Sequence, residues 1–367
     1  MKINQFKLQT LYIILLLFIF VSITCSSPKV TIPKETELGK EYPKANEEEI
    51  AKRTLELTLN SVKENAKVNG KALRDAHPKH HGCVSGSFTV DNSVPATMKF
   101  GVFSKPKTYP IWVRFSNGGT PPKDDKEGDI RGMAIKLMGV DGDKLLEDEK
   151  KEKTQDFLVI SHPVLPVGDP QDYLDLFEAA FAKKPLRHLI FSGQFGAISK
   201  IRALRGLKVP SPLGIKYFST TPYKLGNAAV KYSARPCDNF NPEMPVELTP
   251  NYLKDVMVKH LGEKEACFDF MVQPQVDPIT MPVEDPAEEW SETVSPFVKV
   301  ATIRIDKQKF DSPEQMEACE NLSFTPWHSL PDHQPLGGIN RVRKSVYIGV
   351  SKFRHEANGV PRKEPTK

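Results

Sequence analysis

From residue 84 onward the chain alternates apolar and polar side chains in short runs. Eight of these read as strands: 84–90 (VSGSFTV), 97–103 (TMKFGVF), 110–116 (PIWVRFS), 133–139 (MAIKLMG), 157–161 (FLVIS), 228–235 (AAVKYSAR), 267–273 (CFDFMVQ) and 297–305 (FVKVATIRI). A two-residue period with one apolar face is the mark of half-buried antiparallel strands. Helical periods interrupt them. Residues 46–66 place Ile50, Leu55, Leu59 and Val62 on one face behind an acidic start, which predicts an amphipathic helix. At 169–181, Asp169 is a natural N-cap and Pro170 a natural first residue, and Tyr173, Leu174, Phe177 and Phe181 form a face expected in the core. The segment TPNYLKDVMVKHLG opens the same way with Thr249 and Pro250, and Gly262 is expected to close it. Ser312 and Gln315 make a capping box. The pattern predicts an α+β chain: an eight-stranded antiparallel sheet, able to close into a small barrel, with inserted helices.

The N-terminus has a different texture. Lys2 and Lys7 precede the apolar run Leu11 to Phe20, which is short for a membrane span. Cys25 follows in VSITCSS. Residues 1–24 therefore read as a signal peptide of lipoprotein type, with Cys25 as the lipidated residue of an exported, envelope-bound or periplasmic chain. A plain secretory signal and a retained anchor are the alternatives. Residues 25–45, rich in Pro, Lys and Glu, read as a tether, and 46–360 as the domain proper.

Charge and cysteines narrow the function. Removing residues 1–24 lowers Lys+Arg from 51 to 49 against 46 acidic residues, about +3 for the mature chain. With no basic stripe interleaved with aromatics, no nucleic-acid partner is expected. Cys83, Cys237, Cys267 and Cys319 show no CxxC spacing, so no zinc motif is expected. An exported chain can form one or two disulfides among them, and Cys83 by itself reads as a packed thiol. The segment 126–129 and the run 146–156 read as solvated charge, and Asp129 with Arg131 as a structural pair.

Two stretches carry candidate chemistry. RDAHPKHHGCVSGSF, at 74–88, holds His77, His80 and His81. His77 and His81 would share a helix face and chelate a metal, but Pro78 pushes His77 out of the helical region. His80 and His81 are expected at the surface. Near the other end, Arg343, Tyr347 and Arg354 lie within about 40° of one another on a helix, whereas a strand would turn Arg354 away from the other two. The β-branched residues and Gly349 around Tyr347 favour a strand locally. A cation one turn before a tyrosine stabilises its phenolate.

R-x-x-x-Y followed seven residues later by Arg resembles the proximal haem segment of haem catalases. Arg74, His77, Lys79, Gly82, Gly86 and Phe88 are similar to the distal segment of that family. PIWVRFSNGG, DIRGMAIKL and SFTPWHSLP resemble three further blocks, in the same order over residues 74–354. The resemblance implies a catalase-like eight-stranded antiparallel β-barrel with inserted helices, haem b with ferric iron, and Tyr347 as the axial iron ligand. Arg343 would keep Tyr347 ionised; Arg74, Arg114 and Arg354 would pair with the haem propionates. His77 would be the distal acid–base group, oriented by Ser116. The family's distal asparagine has no counterpart, and Gln155 is the nearest amide to replace it. Ala76, before His77, is smaller than the family's valine. The aliphatic HPVLPV stands where a phenylalanine often covers the haem, and the additional helical region of full-size catalases is expected to be missing. Allene oxide synthases share this compact core. The implied activity is that of a haem-dependent peroxidase or catalase-like oxidoreductase acting on hydrogen peroxide or organic hydroperoxides, lipid hydroperoxides included, in a possible homo-oligomer. The rivals are a non-catalytic haem-binding envelope lipoprotein, and a lipid-anchored adhesin or metal binder using the three histidines.

Overall fold

The structure, a computed structural model, describes residues 36–181, 206–237 and 240–366. The signal peptide and Cys25 lie outside these residues. Chain order is α1 (Glu47–Asn69), β1 (His80–Val90), β2 (Thr108–Asn117), β3 (Arg131–Met138), β4 (Thr154–Ile160), α2 (Pro170–Phe181), β5 (Tyr217–Phe218), β6 (Tyr223–Leu225), β7 (Ala228–Pro236), α3 (Tyr252–Glu263), β8 (Ala266–Pro274), β9 (Val298–Ile305), α4 (Pro313–Asn321) and α5 (Gly338–Ala357).

The strands are antiparallel throughout, in the spatial order β5-β4-β3-β2-β1-β9-β8-β7-β6. Pairing of β5 with β7 closes eight of them into a barrel and leaves β6 as a hairpin extension of β7. The expected eight-stranded antiparallel barrel is therefore present, but one expected member is not. Residues 97–103 form two short 3-10 turns, Ala96–Met98 and Gly101–Phe103, and β5 takes the vacant place in the ring. The run reads as a strand because Val102 and Phe103 are fully buried, and burial erases the period that distinguishes strand from loop. Gly101 sits at φ +53° with the His333 imidazole where a Cβ would project, so the backbone turns inward there.

Phe103 plugs the barrel. Its ring lies 6.1–6.3 Å from those of Phe88, Phe157 and Phe270, and 5.2 Å edge-on from His333. The Val102 N–H donates to His333 Nε2 at 3.0 Å, so the ring proton sits on Nδ1, 3.0 Å from the Tyr232 hydroxyl. Burial pushes His333 down to about 3 and keeps it neutral.

Helix boundaries follow their caps. Asp169 Oδ1 accepts from Asp172 N at 2.8 Å, and Ser312 Oγ from Gln315 N at 3.2 Å, as the sequence predicts. For α3 the start moves to Tyr252, because the carboxylate of Asp125, distant in sequence, accepts from Leu253 N at 3.0 Å. Gly262 lies inside α3, which runs on to Glu263. Helices α1, α2 and α5 form a layer whose core includes Ile50, Val62, Leu174, Val342, Val346 and Val350. Of the aromatic face on α2, Tyr173 and Phe177 are half-buried and Phe181 is exposed, so it is not fully core. The β-branched residues flanking Tyr347 pack in this layer on a helix, not a strand. A Cβ on Gly349 would come within 2.6 Å of Leu55, so glycine permits the close approach of α1 and α5.

The end of the expected tether is docked. Gly39 N donates to Gln275, Tyr42 N to Glu284, and Arg341 binds Glu41, Glu47 and Glu284. Disulfides join Cys83 to Cys319 and Cys237 to Cys267, so Cys83 is not a free packed thiol.

Phe103→Ala removes the ring that fills the barrel. It is expected to lower stability by about 3–5 kcal/mol, read as a shift in the urea midpoint at unchanged slope. A shift under about 1 kcal/mol would mean that the turn 101–103 does not hold the core.

Candidate functional site

β2 places Val113 and Phe115 in the core and Trp112, Arg114 and Ser116 on the outer face. The distal segment lies against that face. His77 holds an uncommon left-handed backbone, φ +57°, immediately before Pro78. Three bonds fix it there. Its N–H donates to Gly118 O at 3.1 Å, its carbonyl accepts from Arg114 Nη2 at 2.8 Å, and its Nδ1 lies 3.0 Å from Ser116 Oγ. Gly132, opposite Ser116 on β3, makes room: a Cβ there would fall 2.5 Å from the imidazole. Burial first, then repulsion from Arg114, Arg343 and Arg74, pushes His77 down to about 3, so near neutral pH it is a neutral base.

On α5, Arg343 Nη2 donates to the Tyr347 hydroxyl at 3.0 Å, one turn apart as the spacing predicts. Arg343 Nη1 is held by Asn340 Oδ1 at 3.1 Å. Asn340 is itself anchored through its amide to Pro222 O and Leu336 O, and it accepts from Thr221. Burial alone would lower the Arg343 pKa, but the phenols of Tyr347, Tyr223 and Tyr173 outweigh it and hold it above its usual value. His77 lies within electrostatic reach of Arg343, which places the two segments in the same region of the molecule. His77, Arg343 and Tyr347 are each only half-buried.

A third group of side chains lies beside them. Arg74, Arg114 and Arg354 converge on Glu320, at 2.9, 3.9 and 2.6 Å. Arg74 also reaches Glu320 O and Leu322 O, and Arg354 reaches Glu320 O. Burial, then the mutual repulsion of the arginines, lowers Arg114 well below its usual value and Arg354 to about 10. The Nε atoms of Arg114 and Arg354 and Glu320 Oε2 have no hydrogen-bond partner. Burial works to raise the Glu320 pKa, and the three guanidiniums hold it below the usual carboxylate value.

Several expectations fail here. Gln155 is not brought to His77. Ser116, Gly132 and Ile160 stand opposite one another across β2, β3 and β4, so Leu158 and Asp156 share their face and Gln155 points the other way. Its Oε1 accepts from Leu330 N at 3.0 Å, and no distal amide comes from this position. His80 and His81 are not surface residues. His81 is fully buried against Asn117 and Asp125, and His80 turns towards Glu320. The three histidines diverge, and among the described residues no group of three or more His, Cys, Asp or Glu could hold a metal ion. Asp129 and Arg131 do not pair. Asp129 accepts from Gly119 N and Ile130 N, while Arg131 binds Asn117 and the carbonyls of Asp125 and Glu127. Part of the run 146–156 is buried structure: Asp156 pairs with fully buried Lys136, which also binds Glu364. Glu320 and Asn340 escape a reading of sequence, because nothing local distinguishes a helix-terminal glutamate from solvated charge.

No family model matches the chain, and no curated protein matches it. Solved structures do. A fungal catalase aligns with a TM-score of 0.61 at 16% identity over 89% of this chain and 66% of its own. Catalase A from Saccharomyces cerevisiae aligns at 0.61 and 17%, over 88% and 67%. A bacterial catalase aligns at 0.59 and 16%, over 92% and 67%. The chain has the catalase-related fold and spans about two thirds of the length of these catalases.

Four buried histidines make acid costly. His77, His80 and His333 sit at about 3 and His81 at about 4, chiefly through burial, against about 6.5 when unfolded. Between those values the unfolded chain binds more protons, so their stabilisation is complete above about pH 6.5 and falls as pH drops below it. The Tm is expected to fall by at least about 5 °C between pH 7.5 and pH 5, before most carboxylates titrate. An unchanged Tm would contradict neutral burial.

Proposed function

We propose that the chain is a haem-dependent oxidoreductase that consumes hydrogen peroxide or organic hydroperoxides. The observation that carries this reading is the Arg343–Tyr347 bond at 3.0 Å, with His77, held 3.0 Å from Ser116 Oγ, within electrostatic reach of Arg343. The residues present fit a porphyrin. A phenol oxygen beside a cation suits ferric iron, and three guanidiniums against one carboxylate leave a surplus of two positive charges for two propionates. The orphaned Nε atoms of Arg114 and Arg354 are unused donors at the same place.

In this reading Tyr347 holds the iron, Arg343 keeps its oxygen anionic, and Arg74, Arg114 and Arg354 hold the propionates. A haem held there would supply the redox chemistry for peroxide reduction. His77 Nε2 takes the proton from one peroxide oxygen and delivers it to the other, while Ser116 Oγ at Nδ1 keeps the ring turned for that transfer. With Ile160 and Leu158 on the β4 face and no amide from Gln155, oxidation of a donor is favoured over rapid dismutation. The paired cysteines fit export to an oxidising compartment.

The haem-reconstituted protein is expected to show high-spin ferric tyrosinate bands that Tyr347→Phe abolishes. A spectrum unchanged in Tyr347→Phe would rule out that ligand. His77→Gln is expected to keep haem and lose about 10²–10⁴-fold in peroxide-dependent donor oxidation. Bound haem with negligible turnover in the parent protein would favour a haem-binding lipoprotein. Oxygen release without donor turnover would reverse the preference against dismutation.

A further inference from the structure

The three arginines do not wait for a ligand uncompensated. Glu320, 5% exposed, stands at the end of α4 with Oε1 bound by Arg74 and Arg354. Its Oε2 faces Arg114 at 3.9 Å and His80 at 3.7 Å without a hydrogen bond. The carboxylate is fixed from behind. Cys319, next to it, is bonded to Cys83, and Cys83 is the strand partner of Arg114. Asp75, the other acid within electrostatic reach of Arg74 and Arg354, makes no ion pair with either among the described residues. Near neutral pH His80 is uncharged. Glu320 is thus the one carboxylate paired with all three guanidiniums.

We propose that Glu320 is a built-in counter-anion that sets how strongly the cluster holds a ligand's carboxylates, leaving charge for two and moderating their affinity. This deepens the porphyrin reading and rests on it. The physical reason is that like charges repel across a buried site. An incoming carboxylate meets the attraction of three guanidiniums less the repulsion of Glu320, and at an effective dielectric near about 20 one such charge at about 6 Å shifts an affinity by at least about tenfold. Glu320 touches the arginines and acts through them, so it is a positioning residue.

The test uses the full chain and two iron-free probes, protoporphyrin IX and its dimethyl ester, titrated by fluorescence at pH 7.5. The ratio of the ester's Kd to the acid's Kd reports the carboxylate contribution alone. The wild type is expected to prefer the acid, and Glu320→Gln to widen the ratio by about tenfold or more. Glu320→Asp, which withdraws the charge by one methylene and keeps the fold, is expected to widen it by about threefold. A solely structural Glu320 would lower the Tm of both variants and leave the ratio where it was. That result, or a narrowed ratio, overturns the proposal while the porphyrin reading stands. Failure of the wild type to bind either probe overturns both.

Discussion

A strand has two faces, and the arrangement depends on β2, β3 and β4 keeping them separate. On one face Val113, Phe115, Met133, Ile135, Phe157 and Val159 join the barrel interior. On the other, Arg114, Ser116 and Gly132 meet the distal segment. Because the period is two, a slip of one residue in β2 would put Phe115 against His77 and bury Ser116 in the core. The apolar interior therefore fixes the register of the chemical face, and the aromatic plug around Phe103 bears on His77 without touching it. A polar group at the barrel mouth reinforces this. Asp125 gathers Lys79, Asn117 and Leu253 N, holding the segment after His77 to the start of α3.

Legibility from sequence divides along that line. Seven of the eight expected strands form, as do the caps at Asp169 and Ser312 and the helix carrying Arg343, Tyr347 and Arg354, because each is encoded by neighbours within one or two turns. Residues 97–103 mislead because burial on all sides leaves no period to read. The start of α3 misleads because Asp125, more than a hundred residues away, supplies the cap. In the site, spacing and resemblance bring His77, Ser116, Arg343 and Tyr347 into place, but Gln155 fails on a parity that depends on the β3–β4 register. Glu320 has meaning only once Arg74, Arg114 and Arg354, from three parts of the chain, have met around it.

The cluster also shows why arginine stands at these positions. Each guanidinium here divides its donors between side-chain and main-chain oxygens. Arg354 Nη2 meets both Glu320 O and Oε1, and Arg74 spans Glu320 O, Glu320 Oε1 and Leu322 O. A lysine has three donors on one atom and could not span them. The carbonyls at the end of α4 add the negative end of its dipole, so backbone and side chain act in the same direction. Burying like charges this closely is costly: burial first, and the neighbouring guanidiniums second, press the Arg114 and Arg354 pKa values down, and added negative charge would relieve that repulsion.

Two arginines on α5 give the sharpest contrast. Arg341 is surrounded by Glu41, Glu47 and Glu284; its charge is cancelled locally, and it ties the segment before α1 to α5. Arg343, two residues on, has no carboxylate within ion-pair distance among the described residues. Its neighbours are Asn340 and the phenols of Tyr347, Tyr223 and Tyr173. An amide and phenol hydroxyls orient the guanidinium, and no carboxylate cancels its charge. Arg343 therefore points its charge at the Tyr347 oxygen, and the same helix carries one arginine compensated by three carboxylates and another paired only with neutral-side-chain partners and hydroxyls. An acid introduced beside Arg343 would keep the fold's contacts yet remove that field, which makes the absence of a carboxylate there as much a part of the site as the tyrosine itself.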